Sequence, residues 1–235
     1  MKEAIILAGG KGTRLKPFTA VIPKPLLPLG DQSIIEIILH QLNNLKFDKV
    51  HISLGYLSYM IKASISSYSH KLNYEIEFID EDTPLGTAGA LANISTKSKQ
   101  ILVINGDTLT DLNLVTLLSF HKKEKAGITI ASHERSININ YGVIDVNKNN
   151  ELMGYQEKPI LCYLVSMGIY VVDTTLLDFV PLNTYFDFPT FVMKVKEKDH
   201  KVSIYRYEGY WKDLGNLEDL NEALDDYSND PQKFI

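Results

Sequence analysis

The chain is 235 residues long, 45% hydrophobic and 23% charged, with a formal net charge of −5. That length and balance fit one large globular domain with a substantial core, and the acidic balance argues against broad nucleic-acid or membrane-surface binding. No apolar run reaches the ~20 residues of a transmembrane helix, and the single cysteine, Cys162, leaves neither an internal disulfide nor a cysteine-based metal cluster.

Lys2–Leu7 reads as the first strand, buried along Ala4-Ile5-Ile6. No apolar leader with a cleavage site precedes it, so a cytoplasmic location is expected. The strand opens onto Leu7-Ala8-Gly9-Gly10-Lys11-Gly12-Thr13-Arg14-Leu15. Its glycines let the backbone approach a ligand closely and adopt positive φ, and successive N–H groups there can form an anion-binding nest. Lys11 and Arg14 add charge, as does Lys24, fixed between Pro23 and Pro25. A loop lysine between prolines is not expected to carry core weight. The arrangement suits a flexible polyanion such as a nucleoside triphosphate. A dinucleotide fingerprint counted from Gly10 would need glycine where Leu15 stands, and Gly10-Lys11-Gly12 does not supply P-loop spacing. The remaining alternative is a plain Gly-rich turn with surface charges.

Ser33–Leu45 is an expected helix, with Ile34, Ile35, Ile37, Ile38, Leu42 and Leu45 forming a wide apolar face. Val50–Leu54 is a strand, Tyr59–Ser66 helical, Tyr74–Ile79 a strand, Gly86–Ile94 a short helix and Gln100–Ile104 a strongly apolar central strand. Leu112–Lys125 suits an amphipathic helix with Asp111 as its cap, and Gly127–Ser132 is again a strand. This alternation predicts a three-layer α/β fold with a mainly parallel sheet.

After residue 133 the pattern changes. Tyr141–Val146 and Glu151–Tyr155 form an expected hairpin through the polar turn Asn147-Lys148-Asn149-Asn150. Tyr163–Val172 is a long strand, Leu176–Phe179 a helical turn, Phe188–Lys198 a helix and Val202–Tyr207 a strand. Asn216 is expected to cap a last helix running through Asp226, and the polar tail Ser228–Ile235 to fray.

The run L-A-G-G-x-G-T-R-L-x-P-x-T from Leu7 to Thr19, followed by P-K-P-L-L-P from Pro23 to Pro28, resembles the signature of the sugar-1-phosphate nucleotidyltransferases. Later segments extend the resemblance to about Leu220. Such enzymes join a nucleoside triphosphate to a sugar 1-phosphate, giving a nucleotide-diphosphate sugar and pyrophosphate. The resemblance implies a three-layer Rossmann-like mixed sheet of the nucleotide-diphospho-sugar transferase type. It implies one domain over residues 1–235, with a nucleotide-binding half to about 133 and a sugar-phosphate-binding half from about 134.

The same resemblance assigns roles. Leu7, Ala8, Gly9, Gly10, Gly12 and Thr13 would cradle the nucleotide, Arg14 would hold the departing pyrophosphate and Lys24 would neutralise the α-phosphate. The segment from Glu81 to Leu91 resembles the base-recognition loop, with Gly86 and Thr87 against the base; read alone, it could equally be an ordinary strand-to-helix loop. Asp107, just beyond an apolar strand where α/β sheets place ligands, and Asp213 in Trp211-Lys212-Asp213-Leu214-Gly215 would hold Mg²⁺. Trp211 can serve as a core anchor at the same time. Gly142, Glu157 and Lys158 would form the sugar-phosphate site with Ser166, where relatives commonly carry Asn; that departure leaves the sugar open. The six histidines are scattered and support neither a metal pair nor covalent catalysis. Compact relatives favour GTP as the nucleotide, on mannose, heptose or amino-sugar phosphates. Thymidylyl and uridylyl transfer, a cytidylyltransferase on a non-sugar phosphate, and a non-catalytic nucleotide-sugar sensor are the alternatives. A homo-oligomer is left open.

Overall fold

The apolar run Ala4-Ile5-Ile6 lies fully buried in the middle of a seven-stranded sheet. The computed structural model describes residues 1–235. In chain order its strands are β1 (Glu3–Ala8), β2 (Pro28–Leu29), β3 (Gln32–Ser33), β4 (Lys49–Leu54), β5 (Glu75–Asp80), β6 (Gln100–Asn105) and β7 (Thr108–Thr110). There follow β8 (Ile128–Asn138), β9 (Gly142–Val146), β10 (Leu152–Glu157), β11 (Ile160–Asp173), β12 (Val202–Arg206) and β13 (Trp211–Asp213). The helices are α1 (Ile34–Asn44), α2 (Ser58–Tyr68), α3 (Gly86–Gly89), α4 (Leu114–Glu124), α5 (Phe188–Glu197) and α6 (Leu217–Asn229).

The large sheet has the order β12-β8-β11-β6-β1-β4-β5. β11 runs antiparallel to both neighbours, and every other pairing in this sheet is parallel. Two apolar layers cover its faces. The larger contains Ile6, Ile35, Leu39, Ile61, Leu117 and Ala223, so α1, α2, α4 and α6 pack there. The other contains Ile5, Val103, Phe188 and Phe191 and receives α3 and α5. Alternating Ile5 and Ile6 therefore serve opposite layers, as the period of a strand buried on both faces requires. The expected three-layer fold with a mainly parallel sheet is present.

Helix starts follow local chemistry. Ser33 Oγ accepts from Glu36 N, Asp187 from Thr190 N at 2.9 Å and Asn216 from Asp219 N at 2.9 Å. The expected Asp111 cap is not the one used. Asn113 Oδ1 accepts from Val115 N and Thr116 N, because the helix begins two residues later than expected. Asp111 instead accepts from Tyr207 Oη and, at 2.8 Å, from Tyr210 N. The tail does not fray either. Phe234 is buried and packs edge-on against Tyr210, with ring centres 4.9 Å apart.

Two strands run beyond their expected bounds. β8 and β11 continue as a two-stranded ribbon from the Glu134–Leu164 pair out to Asn138–Ile160. The hairpin β9–β10 lies at its end, closed by Ile139 N on Pro159 O and Lys158 N on Tyr141 O. The turn expected at residues 147–150 is organised by Asn147, whose Oδ1 accepts from Asn149 N and Glu151 N.

Candidate active site

The C-terminal ends of β1 and β6 lie side by side, and Gly106 N donates to Leu7 O at 2.9 Å. This junction brings the Gly-rich loop and Asp107 to one cleft. Gly12 adopts φ +59, a conformation that favours glycine, and its carbonyl accepts from Thr19 Oγ1 at 2.7 Å. Leu7, Ala8, Gly10, Gly12, Thr13 and Arg14 line a cavity of about 220 Å³ together with Lys24 and Asp107. The Arg14 guanidinium lies against Gly215, where a Cβ would stand 2.9 Å from Nη2. It has no carboxylate partner within ion-pair distance.

Asp107 and Asp213 are more than a hundred residues apart in sequence. β13 closes that gap by pairing antiparallel with β7, with Asp213 opposite Thr108 and Leu214 N donating to Asp107 O at 3.0 Å. The Lys24 ammonium bonds the Asp107 carboxylate and stands 3.8 Å from Asp213 Oδ1. Lys24 is buried, so the expectation of a loop lysine without core weight is corrected: its ammonium is the shared counter-charge of two aspartates. Burial raises the Asp213 pKa, and the neighbouring Asp107 charge raises it further, against the opposing pull of Lys24 and Arg14. Two carboxylates share one bonded ammonium, and the Arg14 guanidinium acts on Asp213 without an ion pair of its own. Oxygen donors of this kind beside a phosphate-sized cavity are what Mg²⁺ takes, and a divalent cation would relieve the repulsion that lifts Asp213. The donor set therefore fits the ion.

A second cavity, of about 240 Å³, adjoins the first and shares Leu7, Gly10 and Asp107 with it. Gly9, Pro84, Gly86 and Thr87 complete its walls with Glu81, Asn105 and Tyr185. Gly86 has φ +76, and a Cβ on it would meet Phe186 O at 2.7 Å. The glycine thus lets the segment before α5 close against this loop. Ala88 N and Gly89 N both donate to Phe186 O, and Thr87 Oγ1 accepts from Phe188 N at 2.8 Å.

The sugar-side residues lie elsewhere. Gly142 pairs with Glu157 in the β9–β10 hairpin, and the Tyr155 hydroxyl donates to Glu157 Oε2 at 3.2 Å. Glu157 and Lys158 are exposed, and with Gly142 they line neither cavity. Ser166 is closer to the cleft: its Oγ donates to Tyr170 Oη at 3.0 Å and accepts from Gly168 N. Gly168, at φ +71, packs against the side chain of Asn105 from the second cavity.

The family model described as nucleotidyl transferase matches residues 3–230. The chain belongs to that family. A mannose-1-phosphate guanyltransferase of Schizosaccharomyces pombe is 31% identical over 229 residues, covering 92% of this chain and 62% of that protein. The mannose-1-phosphate guanylyltransferase of Mycobacterium tuberculosis is 29% identical, over 93% of this chain and 62% of its own length. The UTP–glucose-1-phosphate uridylyltransferase of Synechocystis sp. is 28% identical, over 94% and 62%. The chain thus spans less than two thirds of these relatives. Among solved structures, HddC from Yersinia pseudotuberculosis complexed with GMP-PN has a TM-score of 0.76 at 24% identity, covering 97% of this chain and 100% of that one. This likeness speaks for the fold.

Within this nucleotidyl transferase, sequence reasoning placed Glu81 only as the start of the base-recognition segment and missed Asn105 and Tyr185 as cavity walls. Glu81 accepts from Ser53 Oγ and from Leu85 N, and a Cβ on Gly9 would meet its Oε1 at 2.8 Å. It ties the loop after β5 to the end of β4 and packs against Gly9 of the loop after β1. Its place just past a strand end was a readable signal, and so was that of Asn105, the last residue of β6. Tyr185 had none, because its loop reaches the cleft through tertiary bonds of Phe186 and Phe188 that leave no local sequence pattern.

Proposed function

We propose that the chain catalyses transfer of a nucleotidyl group to a sugar 1-phosphate, releasing pyrophosphate. The observation that carries the reading is the Lys24 ammonium shared by Asp107 and Asp213 at the mouth of a Gly-rich, phosphate-sized cavity. A phosphate oxygen of the sugar 1-phosphate attacks the α-phosphorus of the triphosphate, and the bond to the bridging oxygen of pyrophosphate breaks. No side-chain nucleophile is needed, since positioning and charge stabilisation suffice for this chemistry. The loop N–H groups and Arg14 hold the β- and γ-phosphates, Lys24 neutralises charge at the α-phosphate, and Glu157 and Lys158 seat the sugar phosphate. Asp107 and Asp213 would hold Mg²⁺, which supplies charge neutralisation to the phosphates when bound.

GTP with a mannose-type sugar phosphate is the reading favoured by the named relatives, most of which are mannose-1-phosphate guanylyltransferases. The uridylyltransferase relative supports UTP with glucose 1-phosphate as the second reading. Pyrophosphate release measured with four nucleoside triphosphates and several sugar 1-phosphates tests both. Turnover is expected with GTP first. Binding of nucleotide with no release across the panel would replace catalysis by the sensor reading.

A further inference from the structure

A cavity of about 770 Å³, larger than the two above, opens at the other edge of the sheet. Gln100 at the start of β6, Gly127 just before β8, Lys201 just before β12 and Asp173 at the end of β11 lie along it. β6 runs from this cavity to Asn105 at the cleft, so the two sites stand at opposite ends of one strand, roughly 20 Å apart.

The lining is basic in a chain of net charge −5. Lys97, Lys99, Lys122 and Lys125 all border it, and none has a carboxylate within ion-pair distance. Lys201 is already paired with Glu124 at 2.7 Å. Of the two carboxylates on the wall, Asp173 accepts from Thr175 N and Oγ1, and Asp199 is exposed. His121 adds a second kind of observation. It is only 4% exposed, Thr129 Oγ1 engages its Nδ1 at 2.8 Å, and its Nε2 has no hydrogen-bond partner in the chain although the ring borders the cavity. That nitrogen is not sealed in the core but reaches solvent, so a ligand in the cavity can meet it. The apolar lining is confined to Met1, Ala126 and Leu176. That gives little platform for an aromatic base or an acyl chain.

We propose that this cavity binds a small phosphate-bearing anion, of the size of a sugar phosphate. Four unpaired ammonium groups in a concave wall concentrate anions and make strong charge-assisted bonds to phosphate oxygens. The volume falls in the range of small-molecule sites. The inference does not rest on the proposed reaction, because no residue of the cleft takes part.

The test is a titration of the full chain with glucose 1-phosphate, and separately with inorganic phosphate, followed by the Cε1–H resonances of His121 and His200. Both rings border this cavity and lie outside the cleft. A saturable shift is expected, with Kd raised about tenfold or more in Lys97→Gln/Lys122→Gln, which removes two charged donors from exposed positions. Arg14→Ala and Lys158→Gln should leave the shift intact. Tighter binding of the ester assigns the site to a sugar phosphate, and equal binding assigns it to the free ion; both support an anion site. Unmoved resonances would overturn it. So would a shift that persists in the lysine double variant and vanishes in Arg14→Ala or Lys158→Gln.

Discussion

Lys24 carries the charge balance of the cleft on one ammonium. Lys24→Ala leaves Asp107 and Asp213 facing each other without it, at a cost of about 1–3 kcal/mol in stability. Turnover should also fall roughly 10²–10³-fold, the usual effect of removing one preorganised charge-stabilising group. Urea denaturation and steady-state kinetics check the two parts. Near-normal turnover in the folded variant would remove Lys24 from the mechanism. Asp213 makes the complementary case. Its folded-state pKa lies above the ordinary 3.8, so the folded chain binds this proton more tightly than the unfolded chain. The stability owed to this carboxyl therefore falls as pH rises from about 3.8 through the raised value, and stays low above it. Asp213→Asn should flatten that dependence and be more stable than the parent at neutral pH while losing activity, a trade common at active sites. Thermal melts between acid and neutral pH measure it; an Asn variant less stable than the parent at neutral pH would contradict the assignment.

At the scale of elements, short pairings do the positioning. β13 and β7 span three residues each, yet they carry Asp213 to Asp107, and Trp211 Nε1 anchors the strand on Met167 O at 2.9 Å. Trp211 was readable as an anchor because a lone Trp beside Asp-Leu-Gly has little other reason to be there. The β7–β13 pairing was not, since three-residue strands leave no periodicity. The ribbon beyond Ser132 escaped for a related reason: His133, Glu134, Arg135 and Ser136 lie outside the core and bury no apolar face. Asp111 and Asn113 are both good caps by type, and only the tertiary bonds of Asp111 to Tyr207 and Tyr210 decide between them. The loop at Gly86 yields a prediction of its own. Gly86→Ala imposes a side chain at φ +76 against Phe186 O, at a cost of about 1–3 kcal/mol. It should raise KM for the triphosphate, because the segment carrying Tyr185 must shift. An unchanged melting temperature and KM would show that the loop yields freely.

Over the whole molecule, the order of strands puts both phosphate-sized cavities at the C-terminal ends of β1 and β6, where an α/β sheet offers its crevice. The Gly-rich loop and Asp107 were legible because each follows an apolar strand, whereas Asp213 was read only from the resemblance carried by Trp211-Lys212-Asp213-Leu214-Gly215. The division of labour beyond the cleft was less legible, since Glu157 and Lys158 sit on a hairpin at the end of a solvent-exposed ribbon. If that hairpin seats the sugar phosphate, Glu157→Gln should raise KM for the sugar phosphate more than for the triphosphate. A change confined to the triphosphate would move the hairpin to the other half of the reaction.

We propose that Asp107 and Asp213 act together on one Mg²⁺ beside Lys24. The most direct test is a double-mutant cycle of Asp107→Asn and Asp213→Asn, read as turnover against Mg²⁺ concentration. Each single change should lower turnover at least about 10²-fold and raise the Mg²⁺ requirement, and the double variant should be little worse than the worse single one, because both disable the same ion. A double loss equal to the product of the single losses, or a single variant with an unchanged Mg²⁺ requirement, would contradict the pairing.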